Sequence, residues 1–308
     1  MSGRVEPSCG VGSSLSTTRD SASHYVTRED LQLPDAADVE RGAFAFVLHS
    51  VFTAAECRSM IEASERRGYS EALISTGAVS QALDKSYRHS DRNIHDDPGL
   101  AQELFARIRG ELPQSGTFGY APLRDTAHSW SCKGLNERLR FLRYDSGMFF
   151  APHKDGSYHR PDGTQQSMLT VMLYLNTCGQ DYQGGMTRFV KGDTHGDSLR
   201  GVVAPEAEAA GVVVTPRAGD VLIFTHPVLH EGVRVLSGRK YVLRTDVMYC
   251  NAMEDVREWL HQNELGLYGD AFEHQGYDNM GLILGLSHED IEELATDTAM
   301  AHEDSEFI

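Results

Sequence analysis

Between Glu137 and Cys250 the chain is written in short β-rich runs: LRFLRY, SMLTVMLYLN, GVVVTP, DVLIF and KYVLRTDVMY. Turns rich in Gly, Pro and Asp separate them. No helical period interleaves them, and parallel strands need a crossover helix. This pattern therefore excludes a doubly wound fold and predicts an α+β chain with a mainly β core, a sandwich or jelly-roll barrel. Two helices precede it. Thr53 and Glu56 form a capping box, Cys57, Met60, Ile61 and Ser64 line one face, and Gly68 ends the first helix. The second starts at Asp97-Pro98 and places Leu100, Leu104, Phe105 and Ile108 on one side. Arg41–Phe52 reads as a buried strand, and residues 1–40, rich in Ser, Thr, Gly and Asp, as a flexible tail. Beyond Asn251 the pattern is helical again, with Ser287 and Asp290 as a capping box.

Charge is unevenly distributed. Of the net −17, Glu254 to Ile308 holds fifteen acids against one base, leaving thirty against twenty-seven elsewhere. A nearly neutral body with an acidic end does not suit nucleic acid, which draws affinity from cationic patches. The acidic helical extension, 251–308, reads as a solubilising cap or as a module that recruits a basic partner. No run approaches the ~20 apolar residues of a membrane span. The N-terminus has no apolar signal segment, and five cysteines without a CxxC pair fit a reducing compartment. A cytoplasmic protein is expected, of unknown oligomeric state.

The sharpest chemical feature is PHKDG. His153 and Asp155 are two positions apart, so on an extended segment their side chains point the same way. His230, in VLHEGVRV, follows 77 positions later at the end of a strand. Two imidazoles and one carboxylate on one face leave open positions that suit non-haem Fe(II). An isolated HxD in a chain with 14 histidines is also what a surface turn produces. Ten residues on, Lys240 offers a cation for an anionic cosubstrate. Arg244, four further along the same strand face, could share or replace it. Tyr144 precedes the HxD and Tyr174 lies in the MLYLN strand; pointing inward, such a tyrosine can donate its hydroxyl to a carboxylate, and otherwise it is core. His226, separated from His230 by Pro227, reads as a loop histidine, and the stretch from Asp193 through His195 to Asp197 as surface.

The blocks YDSGMFFAPHKDG, LTVMLYLN, GGMTRF, PRAGDVLIF and LHEGVRVLSGRKYVLRTDV stand in the order and spacing of one family. Over residues 137–250 the chain resembles the prolyl 4-hydroxylase-like Fe(II)/2-oxoglutarate dioxygenases. The resemblance implies a double-stranded β-helix within a domain spanning 41–250, and Fe(II) held by His153, Asp155 and His230. It implies 2-oxoglutarate and O₂ as cosubstrates, the distal carboxylate pairing with Lys240, assisted by Tyr174 and Thr187, with Tyr144 nearby. Ascorbate is a candidate reductant. Because Asp155 is present, the halogenating relatives are not the model. The implied reaction hydroxylates a C–H bond of a prolyl residue, a free amino acid or a small metabolite. Arg88 and Arg92, in SYRHSDRN, are candidate substrate residues. The competing reading is a metal-binding sensor or pseudoenzyme without turnover.

Overall fold

The computed structural model describes residues 26–75, 81–116, 130–194, 201–203, 211–298 and 300. Its N-terminal part holds β1 (Thr27–Asp30), α1 (Ala36–Glu40), β2 (Ala45–His49), α2 (Ala54–Arg67) and β3 (Ser70–Glu71). After these come β4 (Arg88–His89), β5 (Asp91–Asp96) and α3 (Pro98–Ile108). The β-rich region supplies β6 (Trp130–Leu135), β7 (Arg138–Asp145), β8 (Phe149–His153), β9 (Gln166–Tyr174) and β10 (Tyr182–Gly184). It continues with β11 (Thr187–Phe189), β12 (Val212–Val214), β13 (Val221–Thr225), β14 (His230–Gly232) and the long β15 (Val235–Asn251).

Two large antiparallel sheets dominate the described residues. The larger runs β1-β2-β13-β9-β15-β7-β5-β3, and the smaller β12-β11-β14-β8-β4. Strand β15 pairs with β7 and β6 along one edge and with β9 and β10 along the other. Alternation then sorts the side chains of the large sheet. On one face Leu139, Phe141, Val171, Leu173, Ile223 and Leu243 pack with Cys57 of α2 and Leu104 and Ile108 of α3. On the other, Leu142, Tyr144, Tyr174, Phe224 and Val242 meet Phe189 and Val214 of the small sheet. Both N-terminal helices start as read: Thr53 and Glu56 close a capping box, and Asp97 caps Leu100 N–H. The mixed, mostly β, antiparallel class agrees with the sequence.

One reading is corrected. Residues 27–40 are not tail. Strand β1 pairs with β2 from Thr27↔His49 to Asp30↔Phe46, and Asp35 caps α1. All four β1 side chains are exposed, so an edge strand held by main-chain bonds leaves no apolar alternation to read. Residues 1–25 of that tail lie outside the described residues.

The C-terminal helices, α4 (Ala252–Gln262), α5 (Gly269–His274), α6 (Met280–Ile283) and α7 (His288–Asp297), gather their own core around Val256, Leu260, Phe272, Ile283 and Leu294. Asn251 caps α4, the Lys133–Asp255 ion pair ties it to β6, and Ser287 with Asp290 closes the capping box of α7. Among the described residues no helix is long and apolar enough to cross a membrane.

Gly219 joins the helical layer to the sheet. Its φ is +90° and a Cβ there would lie 1.9 Å from the Phe52 carbonyl oxygen, while its own carbonyl accepts from Val51 and Phe52 N–H. Gly219→Ala is expected to destabilise the fold by about 2–4 kcal/mol through combined strain and overlap. Urea unfolding of wild type and variant reads this directly.

Candidate metal centre and cosubstrate pocket

His153 ends β8 and His230 begins β14, and the two residues face each other across that antiparallel pair. The Nδ1–H of His153 donates to Ala151 O at 2.8 Å, and that of His230 to Val228 O at 3.0 Å. Each ring is thereby fixed in the tautomer whose Nε2 lone pair is free. Both Nε2 atoms turn toward Asp155, at 3.8 and 3.7 Å from its carboxylate oxygens, and the three ligand atoms lie within 4.8 Å of one another. Phe150 stacks on the His153 ring at 3.5 Å and Phe224 meets His230 edge-on at 4.5 Å, which locks both orientations. Burial, with His230 beside it, holds His153 well below the usual histidine range, and burial lowers His230 too. Both are neutral near pH 7 and can ligate without first losing a proton. Burial would raise the Asp155 carboxyl, but the Arg244 guanidinium outweighs it and holds the group ionised. Two neutral imidazoles and a carboxylate, convergent and buried, suit an iron-type divalent ion.

Behind Asp155 stands a hydrogen-bonded layer. Thr170 Oγ1 donates to Asp155 Oδ2 at 2.6 Å and lies 2.9 Å from His226 Nδ1, while His226 Nε2 is 2.8 Å from Ser167 Oγ. A hydroxyl has one proton, so Thr170 accepts from His226 Nδ1–H and Ser167 donates to Nε2. Burial pushes His226 down to about 4, consistent with that neutral ring. Arg244 Nη2 lies 3.2 Å from Asp155 Oδ1 and 3.1 Å from Asp246, whose other oxygen accepts from Arg140 at 2.9 Å. His226 is thus outside the triad, as expected, but buried rather than a solvated loop residue. Thr170, Ser167 and Asp246 carried no signal in the sequence, because only the register of β9 against β13 and β15 brings them here. Thr170→Val keeps the shape but strands Asp155 Oδ2 and His226 Nδ1–H. Metal affinity is expected to fall about 10–100-fold, with Thr170→Ser near wild type, as read by anaerobic Co(II) titration.

Lys240 is buried on β15, where Nζ donates to Gly185 O at 2.6 Å and sits 5.5 and 5.6 Å from the Tyr144 and Tyr174 ring centres. Tyr174 OH donates to Thr187 Oγ1 at 2.8 Å. The structure therefore brings Lys240, Tyr144, Tyr174 and Thr187 together. Among the described residues no carboxylate pairs with Lys240, and burial pushes it down to about 7. Arg244 is placed differently, committed to Asp155 and Asp246. Gly185 is needed for this packing: a Cβ there would meet Val235, Tyr182 and the Lys240 stem at 2.9–3.3 Å. The buried Tyr182 hydroxyl, which the sequence did not single out, has no hydrogen-bond partner among the described residues. Arg88 lies 4.6 Å over the outer face of Phe150, and Arg92 is half-buried opposite Leu142. Of the polar Asp193–Asp197 stretch, His195 and Asp197 lie outside the described residues.

Residues 139–245 match the family model of the 2OG-Fe(II) oxygenase superfamily, and residues 251–296 that of the SAM domain (sterile alpha motif). No curated protein matches the chain. Among solved structures, the viral collagen prolyl hydroxylase of Paramecium bursaria Chlorella virus-1 is 18% identical, over 67% of this chain and 96% of its own, with a TM-score of 0.39. A prolyl-4-hydroxylase of Pseudomonas putida is 17% identical over 68% and 95%, TM-score 0.41. A Trichoplax adhaerens prolyl hydroxylase, solved with a peptide of hypoxia inducible factor, is 14% identical over 66% and 82%, TM-score 0.42. At such values these likenesses carry nothing about substrate. The matched family model and the triad it encloses make residues 139–245 a domain of the 2OG-Fe(II) oxygenase superfamily, oxidoreductases that work with Fe(II) and 2-oxoglutarate.

Proposed function

We propose that the protein is a 2-oxoglutarate-dependent hydroxylase in which His153, Asp155 and His230 hold Fe(II) and Lys240 binds the distal carboxylate of 2-oxoglutarate. The observation that carries this is Lys240 itself, a buried ammonium without an acid partner among the described residues, on the inner face that also holds the triad. A buried cation is costly unless an anion comes to it. Tyr174 and Thr187 offer hydroxyls at that end of the pocket, and the Tyr144 ring flanks the ammonium. Arg244, already held by two aspartates, orients the Asp155 carboxylate and leaves the cosubstrate to Lys240. In this reading residues 41–250 are the catalytic domain, 137–250 its double-stranded β-helix, and 251–308 a separate acidic unit.

Fe(II) bound at the triad, with 2-oxoglutarate and O₂, supplies the oxidising power to hydroxylate a substrate C–H bond as 2-oxoglutarate leaves as succinate and CO₂. The chain's own residues do the rest. The two imidazoles and Asp155 would hold the ion and leave it positions for the cosubstrate and O₂. Phe150, Phe224 and Phe189 keep the histidines dry and oriented. In this reading Arg88 and Arg92 receive the substrate, a prolyl residue, free amino acid or small metabolite.

The deciding experiment is an anaerobic titration with Fe(II) and 2-oxoglutarate, following the visible charge-transfer band of the iron–cosubstrate chelate. The band is expected in wild type and absent from His153→Ala. Iron binding by wild type without any band would replace this reading with that of a metal sensor.

A further inference from the structure

The extended chain from Arg88 to Arg92 turns Arg88, Ser90 and Arg92 to one side, and Arg92 lies opposite Leu142 of the inner core. Arg88 Nε donates to Ser90 Oγ at 3.0 Å, and its guanidinium covers Phe150, whose other neighbour is the His153 ring. Arg140 and Arg244 follow along the same side, paired across β7 and β15. Four guanidinium groups therefore share one wall with two carboxylates, Asp155 and Asp246. Arg140 and Arg244 take both acids. Arg88 and Arg92 form no ion pair with a carboxylate among the described residues, and Asp155 reaches Arg88 only through the field. Burial, together with Arg88, Arg140 and Arg138, pushes Arg92 down to about 10.

Filling the metal site does not relieve this excess. Fe(II) and the 2-oxoglutarate dianion would sum to zero, so the wall would still hold four guanidinium groups against two carboxylates. Such groups are costly to hold together out of water, and their planar forks fit a carboxylate or phosphate. A solvated loop, the bland account of these arginines, does not stack one of them on the aromatic ring that backs a metal ligand.

We infer that Arg88 and Arg92 form a substrate-specificity site for an acidic group, a carboxylate or phosphate, so that the substrate is a small anionic molecule. This rests on the hydroxylase reading above. It favours a free acid over an internal prolyl residue of a polypeptide, which brings no charge of its own. The positive wall also attracts an anion at longer range.

The test uses full-length protein loaded with Fe(II) and saturating 2-oxoglutarate under argon. It is titrated calorimetrically with N-acetylglycine as the carboxylate, methyl phosphate as the phosphate and N-acetylglycinamide as the uncharged control. At least one acid is expected to bind saturably with a millimolar Kd, the amide at least tenfold more weakly, and Arg88→Gln and Arg92→Gln are expected to lose at least tenfold for that acid. Which acid binds identifies the group. Without ligand, Arg92→Gln is expected to melt about 2–4 °C higher, because it removes a repelling charge; a merely structural arginine would melt lower. Equal binding of acid and amide, or unchanged Kd in both variants, overturns the anion site. The charge-transfer band is recorded on the same samples. Its absence from wild type overturns the hydroxylase reading, whereas its presence without acid preference overturns only the anion site.

Discussion

Asp155→Ala is expected to abolish usable Fe(II) binding, with affinity falling by more than the ~10–100-fold that losing an outer-layer partner costs. Asp155 supplies the only anionic ligand of the three, and both of its oxygens are already aimed, one by Thr170 and one by Arg244. Without it the pocket presents two neutral imidazoles beside a guanidinium, and a divalent cation would meet net repulsion. The apo fold should be weakened as well, because Arg244 keeps only Asp246 as partner. Asp155→Asn separates the two effects: it preserves shape and a lone pair for Thr170 but not the charge. Anaerobic Co(II) titration and apo melting of the two variants check this. Near-wild-type metal affinity in either one would remove Asp155 from the ligand set.

Lys240→Met is expected to weaken 2-oxoglutarate by about 2–5 kcal/mol, the usual cost of truncating one side of a buried charge pair, while Fe(II) still binds. The apo protein should respond in the opposite sense. In the folded state the ammonium is depressed from 10.5 to about 7 by burial. Between those values the unfolded chain binds more protons, so wild-type stability rises with pH across that window, and the cost of the buried cation is fully present below about 7. Lys240→Met removes that cost and should stabilise most at pH 6 and least at pH 9. Binding follows the same linkage. Above pH 7 the pocket must take up a proton to greet the carboxylate, so wild-type affinity falls by up to about tenfold per pH unit. Calorimetry in buffers of different ionisation enthalpy reads that proton directly, and Lys240→Met should show neither the uptake nor the slope.

Legibility in the sequence followed the range of the interactions. Capping boxes at Thr53–Glu56 and Ser287–Asp290 act within three residues and were visible as such. His153 and Asp155 share a face because extended chain alternates, so half of the metal cluster is local. His230 was a candidate at the end of a strand 77 positions on, with its partnership supported by the family resemblance, and the structure sets it opposite His153. Strand β1 stayed hidden because its stability comes from main-chain pairing that leaves the side chains outside.

Between Lys240 and Arg244 the sequence left the choice of cosubstrate cation open, since both lie on one strand face with the same sign of charge. Their neighbours on adjacent strands separate them: Met172 and Arg140 flank Arg244 and place it near Asp155 and Asp246, while Tyr144 and Gly185 surround Lys240. The same holds for Thr170, Ser167 and His226, which are far apart in the chain and meet only through strand register. By itself the sequence determined element type, the strand-rich core and the donor chemistry, because these depend on local periodicity and residue identity. Tertiary structure alone decided which cations pair with a carboxylate and which do not, because pairing across strands depends on register, and register has no local signature.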